Sequence, residues 1–367
     1  MIKQGSLNDD FKYELLDENQ QFVDLREKLV GLYQSPYCDI LWREIKDKDP
    51  WLVKNEYYKL FYYEQNVLKH IILFGYSAKT QKRISIINRQ FNITLEDIQN
   101  ITQILFNEFG KVQQIIFKGI FVANPEPLKK IIFEKTYDDV IIPLPKSMDD
   151  YLMSLGKKTR RHIKVKMNLV ASDFPDFKVQ HFEKNDILFE QIENIALLNR
   201  NRMKTIGIKS HQNEEACKFQ YQYATASGFG SLTACTIDGK MVGGYVSFII
   251  GEHAHVYIGG YDTSYNKYSM GQVAMIHVIQ DLIEEKNIKY CHLSGLTHGY
   301  KVHLGGMIHD IYTFWVFRNN DITHFCRKLI RGFKFNYEKF KQSLKSNKIF
   351  ITVFINVKKM KVKLLGV

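Results

Sequence analysis

The sequence predicts an α/β protein of the α+β type, with two lobes that each hold a mostly antiparallel mixed sheet flanked by helices. Three observations lead to this prediction. The chain has 367 residues, more than one ordinary hydrophobic core accommodates. Runs rich in β-branched and aromatic residues alternate with segments of helical periodicity. The same order of elements (three strands, a helix, another strand) recurs in both halves, as a repeat of pattern and not of identity.

The first lobe is predicted to occupy residues 1–147. A helix-prone stretch, Leu7 to Trp51, precedes two strands in Lys59–Ser77, which turn at Glu64–Asn66. The same periodicities predict a strand at Arg83–Arg89, a helix at Thr94–Phe109, and strands at Val112–Phe121 and Asp139–Leu144. Thr94, with Asp97 three residues later, is typical of a helix start.

A basic linker helix is predicted at residues 148–170, within Met148 to Val170. Six of the ten positions from Lys157 to Lys166 are Lys or Arg. Such a run is typical of a solvated helix face. The alternative is a rim that contacts phosphate groups, and the sequence leaves both interpretations open.

The second lobe is predicted at residues 171–320. Its first elements are a strand at Phe177–Phe182 and helices at Ile187–Ile206 and Glu214–Ala226. An antiparallel meander follows, with strands at Ser231–Ile237, Met241–Ile250 and His253–Tyr261 and a turn at Asp238–Gly239. After a helix come a strand at Lys289–Leu293, a Gly-rich loop, and a strand at Ile308–Phe317.

The chain is organised around the stretch His253 to Lys286, in which a strand, a short polar loop and a helix follow one another. Apolar residues from Val273 to Ile283 fall on one face of that helix. The start of such a helix presents backbone N–H groups and the positive end of its dipole, so it favours an anion.

The two lobes differ at this kind of helix start. The helix of the first lobe opens with Thr94-Leu95-Glu96-Asp97, whose carboxylates would repel a phosphate. The helix of the second lobe opens with Ser269-Met270-Gly271-Gln272, and no acid follows before Asp281. Only the second lobe is therefore expected to bind a phosphate. The alternative is that Ser269 is an ordinary N-cap of a structural helix.

The composition favours a soluble globular protein over a membrane-spanning or disulfide-rich secreted one. With 45% hydrophobic and 25% charged residues, the chain has the make-up of a soluble globular protein. No apolar run reaches the length of a membrane span, and Met1–Lys12 lacks the apolar core of a signal peptide. The five cysteines are scattered, which is typical of reduced thiols. We therefore expect a cytoplasmic protein.

The net charge of +12 is concentrated in a basic C-terminal tail, residues 321–367. This tail has 12 Lys and Arg against Asp321 and Glu338, a net charge of +10. The other 320 residues have 39 basic against 37 acidic side chains. A nearly neutral body argues against a nucleic-acid groove across the core, so nucleic acid is an unlikely partner.

The tail is also amphipathic. Its apolar residues recur at helical spacing between Asp321 and residue 345, with Lys and Arg on much of the remaining surface. Two interpretations are open. The helix packs on the second lobe, or it contacts an anionic membrane surface, which would make the protein peripheral to the inner face of the membrane.

Three segments together resemble one family. They are the basic LMSLGKKTRRHIKVK, then GGYDTSYNKYSMGQ, and then HLSGLTHGYK, in this order and at characteristic separations. The chain resembles the GNAT-fold acyltransferases, in particular the double-GNAT branch annotated after cellulose-biosynthesis proteins, which is related in fold to the Fem-type peptidyltransferases. The resemblance covers Tyr151 to Phe317, and Leu7 to Leu144 only by pattern.

The resemblance implies an acyl-CoA co-substrate, most simply acetyl-CoA. Its pyrophosphate would lie on Ser269, Met270, Gly271 and Gln272, and its pantetheine would pair with Tyr257, Ile258 and Gly259. Two residues depart from the family pattern: Met270 replaces a usual Pro, and His292 replaces a usual Asp. The second departure puts an acidic catalytic role in doubt, and an imidazole base is the alternative.

Three residues are candidates for catalysis. His292, at a strand end, is the candidate base, and a hydrogen-bonded, half-buried histidine is the alternative. Tyr300 is placed to protonate the leaving thiolate, and Lys301 to hold a phosphate or an acceptor carboxylate; a surface pair is the alternative. His253 and His255 face one way on their strand. No third ligand has convincing spacing, so no metal is expected.

The sequence thus predicts an acyltransferase that moves an acyl group directly from CoA to an amine or hydroxyl. The resemblance implies a sugar, nucleotide-sugar or envelope precursor as acceptor. Three alternatives stay open: a transferase that uses aminoacyl-tRNA, one that uses acyl carrier protein, and a non-catalytic binding protein of the same fold. The basic segment Lys157–Lys166 would suit either polyanionic carrier.

Overall fold

A computed structural model describes residues 3–7, 10–17, 24–46, 55–77, 81–126, 130–295 and 299–319. The predictions for the tail, 321–367, lie outside these residues.

The strands are β1 Lys3–Ser6, β2 Phe11–Asp17, β3 Asn55–Glu64, β4 Val67–Ser77, β5 Arg83–Ile86, β6 Gln114–Phe121, β7 Ile131–Pro143, β8 Lys178–Glu183, β9 Gly230–Ile237, β10 Lys240–Ile250, β11 His253–Tyr261, β12 Tyr290–His292 and β13 Met307–Phe317. The helices are α1 Leu25–Tyr33, α2 Ile40–Lys46, α3 Leu95–Glu108, α4 Met148–Ser154, α5 Lys157–Asp173, α6 Phe189–Thr205, α7 Glu214–Ser227, α8 Met270–Glu284 and α9 Gly299–His303.

All of these strands lie in one mixed sheet, in the order β1-β2-β3-β4-β5-β6-β13-β7-β12-β11-β10-β9-β8. Neighbouring strands are antiparallel except for two pairs, β5 with β6 and β11 with β12. Each parallel pair flanks a crossover helix, α3 in the first half and α8 in the second. The predicted α+β class and the repeated order of elements are confirmed.

The last strand of each half pairs with the sheet of the other half. β7 comes from the first half but lies beside β12, and β13 comes from the second half but lies beside β6. The two strands also pair with each other, from Met307 opposite Ile141 to Val316 opposite Ile131. The sheet therefore continues from one lobe into the other. The domain boundaries at 147, 170 and 320 remain predictions about the chain.

Two elements differ from the sequence prediction. The helix-prone stretch Leu7–Trp51 contains the strand β2, whose alternate residues Phe11 and Leu15 are buried against the first-lobe core. The antiparallel partner is β3, so a long-range pairing prevails over local helix propensity. The linker helix is two helices, because the chain is extended at Leu155 and Gly156 and α5 begins at Lys157.

The two faces of the sheet around β11 and β12 have different environments. On one face α8 packs Ile276, Ile279 and Leu282 against a cluster that includes Ala254 and Cys291. The opposite face holds His255, which contacts the end of α1. No helix in the described part of the chain has the length and hydropathy needed to cross a bilayer.

Candidate functional site

The parallel strands β11 and β12 diverge in the middle of the second lobe. They pair at only three positions, from His253 opposite Tyr290 to His255 opposite His292. β12 then ends, while β11 continues to Tyr261 along β10. The register between β10 and β11 shifts at Tyr257, an extra residue on β11 that forms a β-bulge. The far half of β11 thus has an edge that no described strand covers.

The helix α8 begins beside this opening. Its first residue, Met270, follows Ser269, which has a left-handed backbone with φ of 54°. The carbonyl of Ser269 accepts from the amides of Gln272 (2.8 Å) and Val273 (3.0 Å). The Ser269 side chain makes no capping hydrogen bond, and the first turn holds no acid. The helix start therefore keeps its positive potential, because no carboxylate in the first turn neutralises it.

Three of the predicted donor-binding residues, Met270, Gly271 and Gly259, have contacts within the protein that limit how they could bind a ligand. Met270 is fully buried and packs in the same cluster as Val273 and Ala274. Met is therefore tolerated at this first helical position, where Pro is otherwise favoured. A Cβ atom on Gly271 would lie 2.5 Å from the ring of Tyr261, which explains the glycine. The carbonyl of Gly259 already accepts a hydrogen bond from Asn199 Nδ2 at 2.8 Å.

The equivalent helix start in the first lobe is occupied by its own side chains. Thr94 and Asp97 form a reciprocal capping box at the start of α3. Asp97 is buried, forms an ion pair with Lys69 at 2.9 Å and contacts His70 at 3.4 Å. Burial alone would raise the pKa of Asp97, but the hydrogen bonds from His70, Thr94 and Lys69 outweigh it and hold that pKa well below its ordinary range.

Tyr300 lies near Arg202, Tyr245 and Tyr261. Its side chain is 44% exposed. Burial of the hydroxyl end raises the pKa of Tyr300, while nearby Arg202 opposes that rise. The Arg202 guanidinium also lies 5.4 Å from the ring centroid of Tyr261, the ring that packs on Gly271. Tyr300 and Arg202 therefore lie close to the start of α8, and Tyr245 joins this group by donating to the Gly271 carbonyl at 2.9 Å.

Lys301 is buried, in contrast to its neighbour Tyr300. Its ammonium donates to the carbonyls of Leu293, Ser294 and Gly295 at 2.8, 2.6 and 3.1 Å. Desolvation lowers the pKa of Lys301, although Asp139 and Asp138 oppose that effect. With three carbonyls as partners, the ammonium fixes the loop after β12. The adjacent pair is thus split between a partly exposed tyrosine with a buried hydroxyl end and a buried cation.

His292 lies in a chain of three side chains. Its Nδ1 is 2.7 Å from Asp139 Oδ2 on β7, and its Nε2 is 2.8 Å from His253 Nδ1. A carboxylate only accepts, so Nδ1 of His292 carries the proton and Nε2 accepts from His253. Both His292 and Asp139 are buried. Both ring nitrogens of the predicted base are therefore engaged within the protein.

His255 completes a cluster with His253 and His292. Its Nε2 donates to the Gln34 carbonyl at 2.9 Å, and its ring stacks on that of His292 with centroids 4.2 Å apart. One ligand atom from each of the three imidazoles lies within 4.8 Å of the others. The sequence-based argument that His253 and His255 lack a third ligand is therefore wrong, because the parallel register of β11 and β12 supplies His292.

Sequence reasoning missed Asp139, Arg202, Asn199 and Gln34, which come from β7, α6 and the end of α1. In the sequence, Asp139 is recognisable only as the acidic first residue of the predicted strand Asp139–Leu144. Asp262, at the end of β11, is a turn residue, since its carboxylate accepts from the Ser264 amide.

Comparison with known proteins agrees with this geometry. Residues 157–302 match the family model of the acetyltransferase (GNAT) domain. The second lobe has a GNAT fold. The match contains the diverging strands, the start of α8 and the Tyr300–Lys301 pair. No curated protein matches the chain in sequence.

One solved structure, that of FemX, extends the likeness to both lobes. The crystal structure of FemX superimposes with a TM-score of 0.58 at 11% identity, over 85% of this chain and 99% of FemX. A conserved protein of unknown function from Bacteroides thetaiotaomicron aligns with a TM-score of 0.48 at 13% identity, over 83% of this chain and all of that one. At such identity the FemX likeness shows the fold, and the predicted pair of GNAT-like lobes is confirmed.

Proposed function

We propose that the second lobe is an acyltransferase that moves an acyl group, most simply acetyl, from CoA to an amine or hydroxyl. The observation that carries this proposal is the acid-free start of α8 beside the uncovered edge of β11. Amides at a helix start bind a pyrophosphate. The adjacent strand edge offers backbone groups to the amides of pantetheine. The GNAT match and the acid-filled start of α3 support a single donor site, in the second lobe.

The donor would be held mainly by backbone and by nearby cations. Among the amides at the start of α8, that of Gly271 would face the pyrophosphate, because the Gln272 amide donates to the Ser269 carbonyl and Met270 is fully buried. Lys166 on α5 donates to the carbonyl of Lys267 at 2.6 Å, so α5 lies against the loop that leads into Ser269. The Lys267 side chain is 70% exposed. Lys166 would add positive potential for the phosphates of CoA, and Lys267 would add less, because its ammonium lies 3.9 Å from the Asp173 carboxylate.

The transfer is a direct displacement at the thioester carbonyl. The acceptor nitrogen or oxygen forms the new bond to carbon, the C–S bond breaks, and CoA leaves as a thiolate that takes up a proton. Tyr300 would supply that proton, because its hydroxyl lies near the start of α8; the raised pKa keeps this hydroxyl protonated at neutral pH. Lys301 acts indirectly, by holding the carbonyls of residues 293–295 in place.

The base role of His292 stays a prediction. A substrate could reach Nε2 of His292 only after the hydrogen bond to His253 breaks. An acceptor amine that arrives neutral needs no such step, because it attacks first and loses its proton afterwards to solvent. We therefore route no proton through His292.

The acceptor class rests on the resemblance alone: a sugar, nucleotide-sugar or envelope precursor at the cytoplasmic face. A donor attached to a carrier is the second candidate. Four basic residues of α5, Lys157, Lys158, Arg161 and Lys164, are exposed and form a cationic surface that would suit acyl carrier protein or aminoacyl-tRNA.

Calorimetric titration with acetyl-CoA tests the proposal. Ser269→Asp places a carboxylate at the start of α8, and Ser269→Asn is its uncharged control of equal shape; both residues tolerate the left-handed backbone. We expect Ser269→Asp to weaken binding at least tenfold, about 1.4 kcal/mol, and Ser269→Asn to change it less than threefold. Gly271→Asp is unsuitable, because any side chain there displaces Tyr261.

Two results would count against the proposal. One is equal acetyl-CoA affinity in the wild type and Ser269→Asp. The other is no binding of acetyl-CoA to the wild type, in which case the same titration with acyl carrier protein tests the second candidate.

A further inference from the structure

The cluster of His253, His255 and His292 lies on the sheet face opposite α8 and has no part in the proposed transfer. The three side chains come from adjacent parallel strands, and the register sets His255 directly opposite His292. His255 and His292 are buried, and His253 is half-buried. We propose that these three imidazoles bind one divalent transition-metal ion, with zinc as the best match for the ligand set.

The hydrogen bonds around the cluster leave one unprotonated ring nitrogen on His292 and one on His255. Asp139 accepts from Nδ1 of His292, so the lone pair of His292 is on Nε2. The carbonyl of Gln34 accepts from Nε2 of His255, so the lone pair of His255 is on Nδ1. A carboxylate and a backbone carbonyl are the usual outer partners of metal-binding histidines, because they fix the tautomer and orient the ring.

The third imidazole, His253, is oriented toward the same point. Its Nδ1 lies 2.8 Å from His292 Nε2, closer than two ligands on one zinc ion, which lie roughly 3.3 Å apart when each is about 2.1 Å from the metal. Binding would therefore replace this hydrogen bond by two metal bonds. The proton of His253 Nδ1 would leave to solvent or appear on Nε2, and the His255 ring would turn out of its stack on His292.

Burial disfavours the charged form of His253 and of His255. Burial, with a smaller contribution from His292, lowers the pKa of His253 to about 4. Burial also lowers the pKa of His255 well below its ordinary value. A neutral imidazole is the form that binds a metal. Asp139 Oδ1 is buried and has no hydrogen-bond partner among the described residues, which leaves negative charge near the cluster to balance a cation.

Such an ion would connect distant parts of the chain. His253 and His255 belong to β11 and His292 to β12, while their outer partners belong to β7 and to the end of α1. The ion would tie the branch point of the two parallel strands to segments from the first half of the chain. We therefore expect metal binding to raise the melting temperature of the whole protein.

The test uses the full chain, stripped with a chelator and titrated with Zn²⁺ in a calorimeter, then with Co²⁺ to detect tetrahedral ligand-field absorption. We expect one ion per chain. His253→Ala removes the most accessible ligand and should weaken Zn²⁺ binding at least 100-fold. Asp139→Asn keeps all three ligands but removes the outer carboxylate, and should weaken binding about 10- to 100-fold. His162→Ala, an exposed histidine on α5, is the control and should bind as the wild type does.

Thermal melting with and without Zn²⁺ gives a second readout. The wild type and His162→Ala should be stabilised by the ion, and His253→Ala should not. The proposal is overturned if the wild type binds Zn²⁺ no more tightly than His253→Ala, or if His162→Ala loses binding equally. Acetyl-CoA affinity, measured on the same variants, should be unchanged, so failure here is distinct from failure of the proposed function.

Discussion

The two crossover helices, α3 and α8, occupy equivalent places in the repeated topology but begin in different ways. Each connects a pair of parallel strands, β5 to β6 and β11 to β12. At the start of α3, Thr94 and Asp97 satisfy the first amides, and Asp97 pairs with Lys69. At the start of α8, Ser269 offers only its carbonyl, and no acid follows in the first turn.

This difference shows two uses of one structural feature. A helix start has unsatisfied amides and a positive potential, and these can be met by side chains or by a ligand. In the first lobe the protein's own carboxylate meets them and contributes to stability. In the second lobe no side chain of the first turn meets them, and we propose that an anion does. On that proposal, repeating the fold separates a structural copy from a binding copy, and the predictions below test that separation.

The largest effect is expected from Asp97→Asn. The substitution keeps the shape but removes a buried charge that pairs with Lys69. Breaking such a pair should lower the free energy of unfolding by about 3 kcal/mol, measured by urea denaturation. Glu96→Gln, an exposed neighbour in the same turn, is the control and should stay within about 0.5 kcal/mol of the wild type. Acetyl-CoA affinity should not change in either variant.

The stabilisation that Asp97 provides should decrease as pH falls. The pKa of Asp97 is lower in the folded state than in the unfolded chain, where it is about 3.9. The unfolded state therefore binds more protons as pH falls, and the stabilisation by Asp97 is lost below about pH 4. The gap between the wild type and Asp97→Asn should be constant from pH 8 to about 5 and shrink below. A gap that widens in acid would contradict the proposed pairing.

The contrast between these helix starts was visible in the sequence because it is local. Thr94 and Asp97 are three residues apart, and the absence of acid after Ser269 needs no tertiary contact to be noticed. The elements around them were predicted for the same reason, since hydrophobic periodicity is a property of short windows. The bounds of β9, β10, β11 and α8 agree with their predictions within a residue or two.

Long-range pairing could not be predicted in this way. Asp139 meets His292 only because β7 crosses to β12, and 153 residues separate the two side chains. His255 faces His292 because of the parallel register, which no local pattern encodes. Gly271 carried a functional interpretation in the sequence, but the ring of Tyr261 also requires it. A glycine at a helix start can therefore indicate packing as well as ligand approach.

A smaller effect is expected from removing the two N-cap side chains. Thr94→Ala loses the hydroxyl that accepts from the Asp97 amide at 3.0 Å, and should cost about 1 kcal/mol in the free energy of unfolding. Ser269→Gly removes no cap hydrogen bond and relieves a left-handed backbone, so stability should stay within about 0.5 kcal/mol. Equal losses in the two variants would show that Ser269 caps its helix after all, and that the two starts do not differ.

The smallest effect is expected on the free energy of unfolding of Ser269→Asp, the variant designed to block the proposed donor site. A carboxylate at residue 269 would lie at the positive end of α8, where no side-chain charge now balances the dipole. Ser269→Asp should therefore raise the free energy of unfolding by about 0.5 kcal/mol relative to Ser269→Asn, and added salt should reduce that gain. The same substitution should weaken acetyl-CoA binding, so stability and affinity would move in opposite directions. Only a charge at an open helix start gives this combination. A variant that lost both would be damaged by misfolding, and one that gained stability at full affinity would place the donor away from α8.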